Sequence, residues 1–463
     1  MRRIETDYLI VGAGAGGMAF ADMMLTRSQA DLVIVDRRHQ PGGHWRDAYP
    51  FVRLHQPSAI YGVDSTTLGS DRIDTFGPNA GFYERASAAE ICAYYDELLE
   101  RRFLPSGRVR FFGLCDYAGD MEDDHLLTCR LTGAKTQVAA RQRVVDATFL
   151  ETAVPATEPV AFDVEPGARL VPPNALVALT QPARGYTVIG SGKTGMDCCV
   201  WLLQQGVAPD AIRWIRPRDP WIFDRALLQP LDLAVQTIEG VADSLEATAQ
   251  AEDVDDLFCR LEAIGAIHRL DPAVKPTMFR GAILSASERD SLRRITNVVR
   301  LGRVRRLGVD CIQLDDGEIE TSRDELHINC TARGLRTPPS RPVFAPKRIT
   351  PQSVRFGLPC FNSALTAFLE TSDRDDDERN RLAPPHPYPC NAFDMIPVRL
   401  KTMRVEAIWS QEPDLTSWIA GTRLNLRRGL SAKQGDPRLK DAFARISRFK
   451  DAAADNLERF SAT

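Results

Sequence analysis

Apolar residues along this chain fall into two recurring patterns. Short apolar runs read as strands: Tyr8-Leu9-Ile10-Val11, Leu32-Val33-Ile34-Val35, Tyr186-Thr187-Val188-Ile189 and Ile212-Arg213-Trp214-Ile215. Between Ala86 and Phe103 the spacing changes to that of a helix, through Ile91, Tyr94, Tyr95, Leu98 and Leu99. Ser87 and Glu90 stand three apart at its start, the arrangement of a capping box. Further strands are expected at Val109–Phe112, His125–Arg130 and Val144–Phe149, forming an accessory sheet before the proline-bearing stretch at Pro155 and Pro159. Leu227 to Ile264 reads as mostly helical, and Asp315-Asp316-Gly317-Glu318 is a hairpin turn behind Val309–Leu314. The polar tract Asp373–Arg381 and the proline-rich Ala383–Pro389 mark solvent exposure, and residues 401–419 and 439–460 read as mainly helical.

Two of these strand pairs enclose glycine fingerprints. The first strand opens into Gly12-Ala13-Gly14-Ala15-Gly16-Gly17, and after a helix-length interval the second strand closes on Asp36. This is the pattern of a dinucleotide-binding β-α-β unit. Gly12 serves the sharp turn, Gly14 the approach of a pyrophosphate, and Gly17 the close packing of helix on strand. The opening helix offers unpaired N–H groups to the phosphates, and Asp36 would accept from an adenosine ribose. The second fingerprint is Gly190-Ser191-Gly192-Lys193-Thr194-Gly195. Its second strand is followed by bases, Arg216 and Arg218, with Arg213 inside it. A guanidinium pairs bidentately with phosphate, so this unit is expected to prefer NADPH. The spacing before Lys193-Thr194 is too short for a nucleotide P-loop.

These elements predict an α/β chain of two Rossmann-like dinucleotide-binding domains with a helical insertion and a helical C-terminal region. The expected boundaries are residues 1–155 with 325–400 for an FAD-binding domain and 156–324 for an NADPH-binding domain. The insertion occupies about 225–300 of the latter, and 401–463 forms a helical extension. Asp324–Gly334 would return the chain to the first domain, bringing Thr331 to Gly334 to cofactor backbone. The loop and helix from Val354 through Phe361–Leu365 would also face the flavin.

Composition narrows the functional classes. With 463 residues the chain can build two or three sizeable cores, and a formal charge of −4 gives no basic nucleic-acid footprint. Ten dispersed cysteines form neither zinc pairs nor a disulfide framework, and seven histidines show no ligand cluster, so no metal is expected. Cys198-Cys199 on the second fingerprint helix reads as buried and structural. No apolar stretch reaches membrane-spanning length, which makes a cytoplasmic protein the default. The expected partners are a small-molecule substrate and molecular oxygen, with neither nucleic acid nor membrane. Homo-oligomerisation stays open.

The candidate chemistry gathers after the first fingerprint. In Pro41-Gly42-Gly43-His44-Trp45 the paired glycines let the loop close over a cofactor, placing Gly43 and Trp45 beside it, although Trp45 suits a buried anchor equally well. Arg53, His55 and Gln56 bring a cation, an imidazole and an amide together, to face a flavin or to tie down a loop. In the insertion, Arg225 is the best polar candidate, and Trp221 and Phe223 would line a substrate pocket or fill a core.

The two fingerprints, the acid after the first, the arginines after the second, the Pro41–Trp45 loop and Cys330-Thr331-Ala332 together resemble the flavoprotein monooxygenases, flavin-containing and Baeyer–Villiger-like, that use FAD and NADPH. The resemblance implies FAD held by Gly12, Gly14, Gly17 and Asp36. NADPH would be held by Gly190, Gly192 and Gly195 with one or more of Arg213, Arg216 and Arg218. It further implies flavin reduction by NADPH, trapping of O2 as a C4a-(hydro)peroxyflavin and transfer of one oxygen atom to substrate. The linker Phe149–Val154 departs from that family's Phe-x-Gly-x-x-x-His signature. That leaves a flavin-dependent reductase or dehydrogenase, or a non-catalytic dinucleotide sensor, as alternatives.

Overall fold

The computed structural model describes residues 1–462. The first fingerprint strand, β1 (Arg2–Val11), is central to an eight-stranded sheet. It lies parallel to β2 (Leu32–Val35) on one side and to β6 (Lys135–Asp146) on the other. β3 (Val109–Phe112) extends the β2 edge in parallel. At the β6 edge the sheet continues through β20 (Arg348–Ile349) to β19 (Phe344–Ala345). The accessory strands β4 (Cys115–Gly119) and β5 (His125–Cys129) run antiparallel to each other, and β5 pairs with β6. Leu9, Ile10, Val33 and Ile34 are wholly buried because helices and the accessory strands cover opposite faces of the parallel core. The helix α1 (Ala15–Arg27) packs on that sheet together with α7 (Pro359–Glu370), whose Ser363 Oγ would lie 3.0 Å from a Cβ on Gly16. The helix α2 (Ala88–Leu98) begins with the capping box of Ser87 and Glu90.

The second sheet repeats the plan. Its order is β14 (Val298–Val299), β10 (Ile212–Ile215), β9 (Gly185–Ile189), β18 (Glu325–Asn329) and β8 (Leu170–Val171), all parallel. The fingerprint helix α3 (Lys193–Gln204) covers one face. The other is covered by a four-stranded sheet of β7 (Asp163–Val164), β15 (Val304–Leu307), β16 (Cys311–Leu314) and β17 (Gly317–Glu320). The β16–β17 hairpin turns through Asp315 and Asp316.

Three expectations about boundaries change. Residues 325–329 do not return to the first domain: β18 completes the second sheet beside β9, and the chain rejoins the first sheet only at β19 and β20. The insertion carries a small sheet as well as the expected helices. Its small sheet orders β12 (Ile267–His268), β11 (Ile222–Asp224) and β13 (Ile283–Leu284), flanked by α4 (Ala234–Ala249), α5 (Val254–Ala263) and α6 (Ala286–Arg293). The boundary at 400 falls inside α9 (Ala392–Trp409), an unbroken helix. From there α10 (Pro413–Gly421) leads towards α11 (Pro437–Ser461), which packs against α4 and α9. Leu457 and Phe460 share one apolar core with Trp221, Phe258 and Phe279, so the C-terminal helices complete the insertion. The stretch 383–389 is not uniformly exposed. After α8 (Asp376–Leu382), Ala383 and His386 are buried, and Tyr388 packs 5.0 Å from the ring of Phe356.

Two lengths of chain cross between the halves side by side. Ala153 N–H donates to Gly334 O at 2.9 Å and Arg336 N–H to Glu151 O at 3.0 Å, making a short antiparallel bridge at Thr152 and Leu335.

Candidate functional site

Of the three glycines in each Gly-x-Gly-x-x-Gly pattern, the protein itself requires two and leaves one open. Gly12 has φ +101°, and a Cβ on it would lie 2.9 Å from Thr148 Cγ2. A Cβ on Gly17 would lie 1.9 Å from Gly12 O, whereas one on Gly14 meets nothing closer than Gly43 Cα at 3.7 Å. In the second unit Gly190 has φ +129°, with Cys330 O 3.1 Å from its Cβ position. Gly195 is blocked by Gly190 O at 2.2 Å, and nothing lies within 4 Å of a Cβ on Gly192. Gly14 and Gly192 are also the N-caps of α1 and α3, and neither cap supplies a side-chain acceptor. Two helix N-termini with uncapped first turns therefore sit behind backbone that a ligand can approach closely.

The third strand of each unit ends in the same turn. Asp146 Oδ1 accepts from Thr148 N–H (3.1 Å) and Oγ1–H (2.8 Å). Asn329 Oδ1 accepts from Thr331 N–H (3.1 Å) and Oγ1–H (2.5 Å). Thr331 thus closes over the second fingerprint, the position Thr148 holds over the first. It does not approach the first unit's cofactor strand as expected, because β18 belongs to the second sheet. The recurrence of Asp146-Ala147-Thr148 as Asn329-Cys330-Thr331 is a signal that sequence reading missed.

Asp36, buried at the end of β2, accepts from Ala13 N–H at 2.7 Å through Oδ2 and from Arg38 N–H at 2.8 Å through Oδ1. Gly43 (φ +57°) presses the following loop onto the fingerprint, its Cβ position 2.9 Å from Gly14 Cα. Trp45 anchors that loop: it is buried, and its Nε1–H donates to Tyr61 Oη at 2.7 Å. Beside it, burial and then Arg38 lower the His44 imidazole to about 4, against the pull of Asp47.

The cations after the second fingerprint separate into different roles. Arg216 is buried, paired with Asp219 at 2.8 Å and set over Trp214 at 4.9 Å. Asp219 is shared with Arg300 at 2.9 Å. Arg216 is therefore an internal strut and not a free phosphate ligand. Arg218 is exposed, and among the described residues it pairs with no carboxylate; its Nη2 lies 3.7 Å from Met278 Sδ. Arg213 points elsewhere, to Glu320 O at 2.8 Å and Glu325 at 3.3 Å. Thr194 is half-buried on the first turn of α3. Lys193, whose side chain is only 9% exposed, pairs with Asp197 one turn on, so it does not solvate a rim.

Asp197 also accepts from Tyr49 Oη–H at 2.7 Å, and Phe51 stacks on Trp201 at 4.7 Å, so the first unit's loop is fastened to α3. Behind this contact His55 converges with residues from four other segments, Lys193 among them. Arg85 Nη2 lies 3.2 Å from Glu288 Oε1, and Arg225 Nη2 lies 2.6 Å from Glu288 Oε2. Glu288 Oε2 additionally accepts from Ser285 N–H at 2.9 Å, as the capping residue of α6. Arg85 Nη1 donates to Leu54 O at 3.2 Å, the residue before His55. The His55 side chain makes no hydrogen bond among the described residues. It is held well below the ordinary histidine range by burial first, then by Lys193, Arg85 and Arg225, with Glu288 opposing. Gln56 is buried, and its Nε2 has no partner.

The structure thus brings His55, Arg225 and Lys193 into one cluster and adds Arg85 and Glu288, which sequence reading missed. Only Glu288 carried a signal, the capping-box spacing from Ser285. Arg53 does not join them. The chain bends at His55 and Gln56, leaving Arg53 at the surface, where its Nη1 donates to Arg85 O at 2.8 Å. There it helps line a 390 Å³ groove with Glu84, Glu90 and Glu97. Arg225 faces no open pocket, being fully buried, while Trp221 and Phe223 pack in the insertion core against Phe258 and Phe279.

Comparison with known proteins agrees with this architecture. Residues 10–62 match the NAD(P)-binding Rossmann-like domain family. The chain shares its fold with two solved monooxygenases. It is similar to cyclohexanone-bound cyclohexanone monooxygenase in the rotated conformation (TM-score 0.50, 14% identity, 80% of this chain and 86% of that one). It is similar also to oxidized steroid monooxygenase bound to NADP (TM-score 0.50, 13% identity, 80% and 85%). In sequence it is 45% identical over 426 residues to the uncharacterized protein Rv2000 of Mycobacterium tuberculosis, covering 92% of this chain and 78% of that protein. A Mycobacterium bovis protein, Mb2023, matches to the same extent. The chain belongs to the family of these mycobacterial proteins. No helix among the described residues is long and apolar enough to cross a membrane.

Proposed function

We propose that this protein is an FAD- and NADPH-dependent oxidoreductase that inserts one oxygen atom from O2 into a small organic substrate. The observation that carries the reading is the pair of open glycines. Gly14 and Gly192 each stand at an uncapped helix N-terminus where backbone is exposed to close approach, while their neighbouring glycines are consumed by packing. The donor chemistry fits two dinucleotides. On this reading α1 and Gly14 hold the FAD pyrophosphate, and Asp36, which has lone pairs left beyond its two backbone bonds, orients the ribose. At the second unit α3 and Gly192 hold the NADPH pyrophosphate. Arg218, without a carboxylate of its own, pairs with the 2′-phosphate.

FAD and NADPH supply hydride transfer and oxygen activation when bound; the protein supplies orientation and electrostatics. The Tyr49–Asp197 and Phe51–Trp201 contacts hold the two units face to face. His55, neutral and without a hydrogen-bond partner, offers a donor or an acceptor at the junction, and Arg225 and Arg85 set a positive field there. Such a field favours anionic groups over neutral ones in a medium of low polarity.

Anaerobic addition of NADPH to the purified protein, followed by oxygen, tests the reading. The expected result is a flavin absorbance spectrum that bleaches with NADPH and recovers on aeration, passing through a transient. Absence of bound flavin sinks the reading, and bleaching without an oxygen-dependent transient replaces the monooxygenase with a reductase or dehydrogenase.

A further inference from the structure

In the accessory sheet of the first domain, two free cysteines face each other across the β4–β5 ladder. Cys115 opens β4 and Cys129 closes β5, and the antiparallel register sets one directly opposite the other. Their own N–H groups point away from the pair, Cys115 to Asp36 O at 3.0 Å and Cys129 to Ala134 O at 2.9 Å. The ladder is closed instead by the flanking bond from Arg130 N–H to Leu114 O at 2.8 Å, which makes the cysteines a non-hydrogen-bonded pair. In such a pair the Cα atoms stand about 4.5 Å apart, inside the roughly 4.4–6.8 Å that a disulfide spans. Both strands are held in place around it. Leu114 N–H donates to Arg38 O at 2.9 Å, and Arg130 pairs with Asp116 across the opposite face of the ladder at 2.6 Å. The register alone therefore sets the two thiols for a bond that needs little movement of the backbone.

The thiols differ in access and in surroundings. Cys115 is buried in the core between the sheet and its accessory strands, whereas Cys129 is half-buried and leads into the exposed turn of Arg130 to Gly133. The Thr132 hydroxyl, then the N–H groups of Thr132 and Leu131, donate to the Cys129 sulfur and hold it below the usual thiol range. Burial first, and then Cys129, raise Cys115. An oxidant from solvent therefore meets Cys129 as the attacking thiolate, and Cys115 behind it as the resolving thiol. The other close pair, Cys198 and Cys330 with sulfurs 3.5 Å apart, lacks this asymmetry, since both are buried.

We propose that Cys115 and Cys129 form a redox-active dithiol, at which hydrogen peroxide converts the reduced pair into a cross-strand disulfide. The Cys129 thiolate attacks one peroxide oxygen, the O–O bond breaks, and the departing hydroxide takes up a proton to leave as water. Cys129 then carries a sulfenic acid. The Cys115 sulfur gives up its proton and attacks the Cys129 sulfur, the S–O bond breaks, and a second water leaves as the S–S bond forms. Two thiols and one peroxide thus become one disulfide and two waters, the sulfurs losing the two electrons that the peroxide oxygens gain. A small dithiol such as dithiothreitol reverses the change by exchange. The site requires neither nucleotide.

The test uses the full chain, reduced with dithiothreitol, desalted and exposed to hydrogen peroxide at a dose that oxidises free cysteine in a parallel sample. Acid stops the reaction, and the denatured protein is alkylated with iodoacetamide and digested with trypsin. The peptide Phe111–Arg130 contains both cysteines and no others, so it reports the pair directly. It is expected to carry two labels before peroxide and none after, and to regain both when dithiothreitol precedes alkylation. Its loss of label should run about tenfold ahead of that at the exposed Cys259, which has no resolving partner. Cys115→Ser should stop at the sulfenic acid, which dimedone captures on Cys129. Cys129→Ser should leave Cys115 labelled under the same exposure. Thr132→Val removes the hydroxyl donor and should slow the loss of label about threefold, an effect that a merely structural role would not produce. Two labels retained by the wild-type peptide overturn the inference, as does the loss of only one, or a loss that dithiothreitol does not reverse. Oxidation of Cys115 at an unchanged rate in Cys129→Ser overturns it too. The wild-type mapping needs no variant, so a substitution that fails to fold leaves the test standing.

Discussion

The carbonyl oxygen of Gly12 stands 1.9 Å from the place that a Cβ on Gly17 would occupy. A side chain there must push the first helix off its strand, so Gly17→Ala is expected to destabilise the protein by roughly 3 kcal/mol. Gly14→Ala meets only Gly43 Cα, at ordinary contact distance, and should fold with wild-type Tm. Flavin content separates the two: Gly14→Ala retains stability and loses FAD. A Gly14→Ala protein with full flavin content would remove that glycine from the cofactor site.

Arg216 and Arg218 should respond in opposite ways. Arg216→Ala breaks a buried pair with Asp219 and a contact over Trp214, at a cost of roughly 3 kcal/mol in denaturant unfolding. Arg218→Ala should leave stability unchanged and raise the KM for NADPH about tenfold with NADH unaffected. Stopped-flow reduction with both nucleotides checks this, and unchanged nucleotide preference in Arg218→Ala assigns the selectivity elsewhere.

Acid should destabilise the protein through its enclosed imidazoles. His44 is lowered to about 4 and His55 well below 6.5, in both cases chiefly by burial. The unfolded chain therefore takes up protons below pH 6.5 that the folded chain refuses, and stability falls as pH drops from 6.5 towards 4. For His44 the full effect is roughly 3 kcal/mol. His44→Gln should flatten the dependence of unfolding free energy on pH across that window.

Thiol reactivity should follow exposure and the local field. Cys198 and Cys330, with sulfurs 3.5 Å apart in the core, are buried, and burial raises Cys198 well above the usual thiol range. Cys259 is exposed, and hydrogen bonds from Thr132 and the neighbouring backbone lower Cys129. Native labelling with a chromogenic disulfide is expected to be fast at Cys259 and Cys129. Cys198 and Cys330 should react only on unfolding, as peptide mapping of the labelled sites would show.

The two fingerprints were legible because their constraints are local. A strand, a turn that needs glycine, a helix and a second strand follow one another within forty residues, and each glycine has a short-range reason to be there. The capping box at Ser87 was legible for the same reason. The membership of β18 was not: a strand of five residues ending in Asn329-Cys330-Thr331 carries no mark of which sheet it joins. The junction cluster was hidden more deeply still, since Arg85, Arg225 and Glu288 are separated by up to 203 positions and meet only through folding. Arg53 and His55 illustrate the converse. Two positions apart in sequence and alike in apparent promise, they are parted by one bend of the backbone.

The double crossing at Thr152 and Leu335 has a mechanical consequence. A single tether lets one body swivel in any direction about another. Two lengths of chain lying side by side, laced by backbone hydrogen bonds, resist sliding and pulling apart where they cross. Tyr49 and Phe51, set away from the crossing against Asp197 and Trp201, fasten the halves at a second place and Arg85 against Glu288 at a third, so that no single link carries the alignment of the two fingerprints.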